Sequence, residues 1–221
     1  MYGYDAVVAS LRPIAWWKLA DPVGSTTAVD SSGSGYTGTV HGGVTFGEPG
    51  PIAGTPNGTA ALFDGSTGYI STSAVALESL VNAGDFTFMA WVNPTSTPPV
   101  NAGCLSIPGT AALSTAGIDF DGAGHVKWDY FFTDITSSAV VPNNAWSFIC
   151  CLEMRAAQLG AIYVDGVLNV SGGMPAPIVE QPPQIGAGVN GTQFPGLIAE
   201  AAIFVRALTA AEIAALWQAA Q

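Results

Sequence analysis

The sequence predicts an all-β fold: a two-sheet antiparallel β-sandwich of jelly-roll type with one short C-terminal helix. Three observations predict it. Short apolar or alternating segments recur along the chain, divided by turn residues, and 27 glycines and 15 prolines in 221 residues supply those turns. Asp-Gly pairs stand between apolar runs at Asp121-Gly122 and Asp165-Gly166, a strong local sign of a hairpin. A clear helical period appears only at the end of the chain.

The elements follow in order. A short lead, Asp5–Leu11, helical or extended, precedes the aromatic strand Pro13–Leu19. Residues 21–60 are rich in Gly, Ser, Thr and Pro, yet Val29, Tyr36, Val40, Val44 and Phe46 recur through them, so they read as short extended pieces joined by turns. Ala60–Gly65 is a strand ending in a turn, and Tyr69–Thr72 returns from it. In Phe86–Val92, Phe86, Phe88, Ala90 and Val92 share one face while Thr87, Met89 and Trp91 share the other. Bulk on both faces marks a central strand, which Pro94, Pro98 and Pro99 end. Gly117–Trp128 reads as strand, Asp-Gly turn, strand; Trp146–Met154 is a second two-faced strand; Ala161–Leu168 is a hairpin about Asp165-Gly166. Ile185-Gly186 and Gly196–Phe204 close the sheets. Thr209 and Glu212 form a capping box, and Ile213, Leu216 and Trp217 make one apolar stripe that should dock on the sandwich. Neither an internal repeat nor a composition shift divides the chain, so residues 1–221 read as one domain.

Charge excludes several function classes. Charged residues are 10% of the chain, against about 25% in ordinary soluble domains, and 16 acids with five bases give a formal net charge of −11. That balance excludes nucleic-acid binding through phosphate contacts and a polybasic membrane-surface role. The hydrophobic fraction is 49% and the mean hydropathy +0.39. Two readings fit: an Ala-, Gly- and Thr-rich composition around a normal core, or a surface covered by further copies in an assembly. Insertion into a membrane is not expected, because no apolar run reaches the about 18 residues of a spanning helix; Ala199–Ala220 is interrupted by Glu200, Arg206 and Glu212. The N-terminus shows no basic region ahead of an apolar run, so synthesis in a cytoplasm without N-terminal export is expected. Three cysteines, Cys104, Cys150 and Cys151, argue against a disulfide framework and read as packing residues, the adjacent pair facing opposite ways.

The candidate sites are few. Asp119–Gly124 reads as a turn, since an EF-hand loop would need a glutamate where Tyr130 stands. Glycosidase chemistry needs two facing carboxylates, and Glu48, Glu78, Glu153, Glu180, Glu200 and Glu212 form no cluster, so the chain reads as non-enzymatic. His41 and His125 read as hydrogen-bonded turn residues. Trp16, Trp17, Trp91 and Trp146 fall in strands at core positions, and Trp217 lies on the helix stripe. Trp128, followed by Asp129-Tyr130-Phe131-Phe132, is the best exposed aromatic candidate. Trp128 and Tyr130 are therefore the expected contact residues, for a subunit interface or a glycan, and a place in the core is the other reading of the same run.

The ordered set Ala15-Trp-Trp-Lys-Leu19, Asp30-Ser-Ser-Gly33, Phe63-Asp-Gly65, Phe86–Pro94, Trp146, Tyr163-Val-Asp-Gly166, Ile185-Gly186, Gly196–Glu200 and Arg206–Ile213 resembles the laminin-G-like jelly-roll family of the concanavalin A-like lectin and glucanase superfamily. The resemblance covers almost the whole chain and implies two antiparallel sheets, one concave. It also implies two roles. The first is a virion surface component of a bacteriophage, a capsid decoration or minor tail protein, whose partners are other virion proteins or copies of itself. The alternative is a carbohydrate-binding or adhesion module at a cell surface, whose partner is a host-surface glycan. The family often carries a structural calcium, but this chain has Ala199 at one expected acidic position and Asp21 displaced from the other, so the expectation is no cofactor, with a structural calcium as the alternative.

Overall fold

The computed structural model describes residues 3–52, 58–73, 77, 81–108, 115–130, 133–175 and 181–221. Helix α1 (Tyr4–Ser10) settles the open reading of the N-terminal lead and adds a second terminal helix to the one the sequence predicts. The strands are β1 (Ala15–Trp17), β2 (Thr27–Ala28), β3 (Gly38–His41), β4 (Val44–Pro49), β5 (Thr59–Asp64), β6 (Tyr69–Thr72), β7 (Phe86–Pro94) and β8 (Gly103–Ile107). They continue as β9 (Ala116–Phe120), β10 (His125–Asp129), β11 (Asp134–Val140), β12 (Ser147–Met154), β13 (Leu159–Val164), β14 (Val167–Gly173), β15 (Gln184–Ile185) and β16 (Pro195–Phe204). Helix α2 (Ala210–Ala219) follows.

The strands form two antiparallel sheets. The first runs β14-β13-β12-β7-β16-β5-β4, with β1 added on β16; the second runs β11-β10-β9-β8-β15-β6-β3-β2. Strand β7 is central, between β12 and β16, as its two apolar faces require. Phe86, Phe88, Ala90 and Val92 enter the core between the sheets. Met89 and Trp91 turn the other way and join Phe148, Cys150 and Phe204 in a second cluster with Tyr4 and Val8 of α1 and Ile213 and Leu216 of α2. The central strands of the first sheet, β12, β7 and β16, are thus buried on both sides. Cys150 and Cys151 divide between the two clusters, and all three thiols are buried and free. Trp146 departs from its expected place in a strand core: it precedes β12 and is half-buried.

The C-terminal helix forms for the reason its sequence gives. Glu212 N–H donates to Thr209 Oγ1 (3.3 Å) and Thr209 N–H donates to Glu212 Oε2 (2.8 Å). The Arg206 guanidinium grips the same carboxylate at 2.8 and 2.9 Å and holds its pKa down at about 2. Trp217 of α2 stacks on Trp91 (centroids 5.3 Å, planes 22° apart). Tyr4 of α1 meets Trp91 edge-on and accepts its indole N–H at 3.0 Å. One indole on the central strand therefore fastens both helices to the first sheet.

Candidate functional site

No helix covers the outer face of the second sheet among the described residues. Strand alternation turns Ala28, Val40, Ile70 and Ile185 inward and Thr27, Thr39, Ser71 and Gln184 outward. The register then aligns the outward set, pairing Thr27 with Thr39, Thr39 with Ser71, Ser71 with Gln184 and Gln184 with Ser106. At a strand spacing of about 4.8 Å, the row from Thr27 to Gln184 spans about 14 Å. The neighbouring row pairs His41 with Tyr69. Their rings stack with centroids 4.5 Å apart and planes 14° from parallel, and His41 Nε2 lies 2.8 Å from Ser71 Oγ. Both rings are half-buried, so one flat aromatic surface stands beside a line of hydroxyl and amide groups.

Two turns set that surface. Asp64 Oδ1 accepts the N–H groups of Ser66, Thr67 and Gly68 at 2.8–2.9 Å, and Oδ2 accepts the hydroxyls of Ser66 (3.0 Å) and Thr67 (2.7 Å). The Thr67 hydroxyl and these amides hold the Asp64 carboxyl well below the usual range. The β3–β4 turn lies directly on this turn. A Cβ at Gly42 would come within 2.1 Å of Thr67 O, and one at Gly43 within 2.1 Å of Asp64 Oδ2. Glycine is needed there for the contact, which fixes His41 at the end of β3 opposite Tyr69 at the start of β6.

A wall bounds the row on the β8 side. The segment from Gly186 to Phe194 lies flat on the sheet because Gly103 has no side chain: a Cβ there would sit 2.2 Å from Gly188 Cα. Ser106 Oγ donates to Ala187 O (2.7 Å), Gln184 Nε2 to Gly188 O (3.1 Å), and Val189 N–H to Asp119 Oδ2 (3.2 Å). Asp119 is fully buried beneath this segment, its Oδ1 has no hydrogen-bond partner, and burial together with the Asp129 charge pushes it up to about 8. Beyond it, Lys127 is paired with Asp129 (2.5 Å) and Asp134 (3.7 Å) and donates to the Asn101 side chain.

The expected contact residues lie elsewhere. Trp128 and Tyr130 are both fully buried, which corrects the expectation that these two side chains are exposed and agrees with the core reading. Val126, Trp128 and Tyr130 alternate inward on β10 and past its end, while His125, Lys127 and Asp129 take the outer face. Trp128 packs against Phe86, Phe88 and Tyr130 at 5.3–5.9 Å, and the Tyr130 hydroxyl donates to Glu153 Oε2 at 3.2 Å. Their burial leaves them a supporting role under the second sheet. Phe131 and Phe132 lie outside the described residues, as do Glu78 and Glu180. Both histidines are hydrogen-bonded as expected, but both are strand residues and not turn residues: His125 opens β10, its Nδ1 2.7 Å from Asp121 Oδ2 of the preceding turn, and His41 ends β3.

The family's calcium position does not fit a cation here. Ala199 is buried and offers no side-chain oxygen, Asp21 accepts the Val29 N–H, and Glu200 accepts the Trp16 indole N–H at 2.6 Å. Among the described residues no group of three or more His, Cys, Asp or Glu side chains stands together as a metal cage. Burial pushes Glu200 up to about 8. Nor is any described helix long and apolar enough to cross a membrane.

Two stacked antiparallel sheets joined in this order define a concanavalin A-like sandwich. Residues 64–214 match the laminin-G family Laminin_G_3 of the concanavalin A-like lectin/glucanases superfamily, and the chain belongs to it. No curated protein matches the sequence. Solved structures share the fold at low identity. Domain 4 of AbnA, a GH43 extracellular arabinanase from Geobacillus stearothermophilus, solved in complex with arabinotriose, is 18% identical with a TM-score of 0.69, over 95% of this chain and 98% of that one. The binding domain of Paraclostridial Mosquitocidal Protein 1 is 17% identical with a TM-score of 0.67, over 92% of this chain and 51% of that one. The Botulinum Neurotoxin serotype G binding domain is 19% identical with a TM-score of 0.64, over 93% and 50%. The chain thus spans about half the length of these toxin binding domains.

Proposed function

We propose that the chain is a non-enzymatic glycan-binding module, residues 1–221 acting as one unit, and that the outer face of β2, β3, β6 and β15 receives the glycan. The observation that carries this reading is the half-buried His41–Tyr69 stack beside Thr39, Ser71 and Gln184, on the sheet face left open by the helices. A sugar ring has an apolar C–H face and a rim of hydroxyls. A flat aromatic surface takes the first, and groups that both donate and accept hydrogen bonds take the second. The fold neighbours lend support: one is an arabinanase domain solved with arabinotriose and others are toxin binding domains. Attachment to a carbohydrate or receptor at a cell surface is the role this implies. These neighbours favour it over a self-associating virion component. Three of the four glutamates within the described residues serve structure: Glu153 accepts from Tyr130, Glu200 from Trp16, and Glu212 from the cap of α2.

Calorimetric titration against neutral and charged oligosaccharides, after a glycan-array screen, tests the proposal. Saturable binding that weakens by about tenfold or more in Tyr69→Ala, with an unchanged melting curve, is the expected result. Binding that Tyr69→Ala leaves intact moves the site off this face, and a blank array removes the function.

A further inference from the structure

Resting on that reading, we infer that the glycan is uncharged, and that the platform selects neutral oligosaccharides against sialylated, sulfated or uronic-acid chains. The inference comes from where the cations are. The chain has three arginines and two lysines among its 221 residues, and none of the five falls on β2, β3, β6 or β15. Lys18 is held by Asp5 at 2.6 Å and lies over the Trp16 ring. Lys127 is held by Asp129 and Asp134, and Arg206 by Glu212. Arg155 donates to the Asn82 carbonyl at 3.1 Å, and Arg12 follows α1, the helix that covers the first sheet. An anionic sugar on the platform would therefore meet no arginine or lysine to fork or pair its carboxylate or sulfate.

What it would meet is an acid. Asp64 organises the turn that leads into β6 and is held ionised by its own amide and hydroxyl donors, so its negative charge stands in the turn just ahead of Tyr69, on the His41–Tyr69 side of the platform. The whole chain adds a formal −11, which repels an approaching anion at long range. The remaining groups of the platform suit hydroxyls. Thr27, Thr39 and Ser71 each donate and accept, and Gln184 commits its Nε2 to Gly188 O while its Oε1 stays available as an acceptor. The row crosses the strands over about 14 Å before the Gly186–Phe194 segment blocks it, a length that suits a short oligosaccharide lying across the sheet.

The test uses the full chain and matched probes: arabinotriose, maltotriose and cellotriose as neutral trisaccharides, with sialyllactose and trigalacturonate as anionic ones, each titrated by calorimetry at about 0.05 and 0.5 M salt. The expected result is binding of at least one neutral probe, insensitive to salt, with both anionic probes weaker by at least about tenfold. Thr39→Lys, at an exposed position, should then recruit an anionic probe in a salt-sensitive manner. An anionic probe that binds the native chain as tightly as the neutral ones, and loses that binding in Tyr69→Ala, overturns the inference while leaving the glycan site standing. Failure of every probe, together with a blank array, removes the proposed function itself.

Discussion

The outer faces of the two sheets obey the same two-residue alternation and end with opposite fates. On the first sheet, the outward residues of β7, β12 and β16 include Met89, Trp91, Phe148, Cys150, Ala202 and Phe204, and both helices lie over them. On the second, the outward residues of β3, β6 and β15 are Thr39, His41, Tyr69, Ser71 and Gln184, and they face solvent. The difference teaches that alternation fixes which residues face out, whereas their chemistry fixes whether that face becomes core or contact surface. A charge-poor chain can therefore cover the central strands of one sheet on both sides and still keep a polar, aromatic face for a partner.

The largest expected effect comes from breaking the covered face. Trp91 touches both helices and Phe148, so Trp91→Ala opens a cavity beneath α1 and α2 and should cost about 3–5 kcal/mol of stability in denaturant titration. A loss under about 1 kcal/mol would mean that the helices merely rest on the sheet.

The next effect is a pH dependence that samples both faces. Glu200, toward the covered side with Trp16, and Asp119, beneath the segment on the open side, are each pushed up to about 8, and Glu153 in the core to about 7. A carboxyl raised in the folded state keeps a proton that the unfolded chain has released. Stability should therefore be fullest near the unfolded values of 3.8–4.5 and fall as pH rises toward about 8. Glu200→Gln, which keeps an acceptor for the Trp16 indole, should flatten that decline by on the order of 2–4 kcal/mol. Asp119→Asn should flatten it on the open side as well. Stability that instead rises steadily from pH 5 to 8 would contradict both assignments. Thr209→Ala is a smaller test of the cover. It removes the cap hydroxyl of α2 and should cost about 1 kcal/mol by thermal or denaturant unfolding, without touching the open face.

Most of the covered face was legible in the sequence, and the open face was not. Met89 and Trp91 opposite Phe86 and Phe88, the Thr209–Glu212 box and the Ile213–Leu216 stripe are local patterns, each visible within one segment. The platform depends on register between strands far apart in sequence. His41, followed by Gly42-Gly43, has the local signature of a turn, and only its pairing with Tyr69 turns it into an aromatic surface. Trp128 and Tyr130 show the opposite case. The run from Trp128 to Phe132 draws the eye by composition, but the period in His125-Val-Lys-Trp-Asp-Tyr130 already sets Trp128 and Tyr130 with Val126, on the inward side.

The smallest effect on stability sharpens the comparison most. Ser71 sits half-buried in the outward row, bonded to His41 and flanked by Thr39 and Gln184 on the neighbouring strands. Its hydroxyl makes no bond into the core, and alanine fits the same strand position. Ser71→Ala should therefore change unfolding free energy by no more than about 0.5 kcal/mol. It should still weaken glycan binding severalfold, because it removes a hydroxyl from the centre of the row and frees the His41 ring to leave its stack on Tyr69. Such a result would separate binding from folding on the open face, where Trp91→Ala cannot separate them on the covered one. Equal losses of stability from Ser71→Ala and Trp91→Ala would instead mean that the outer row of the second sheet is structural, and that the two faces differ in exposure but not in purpose.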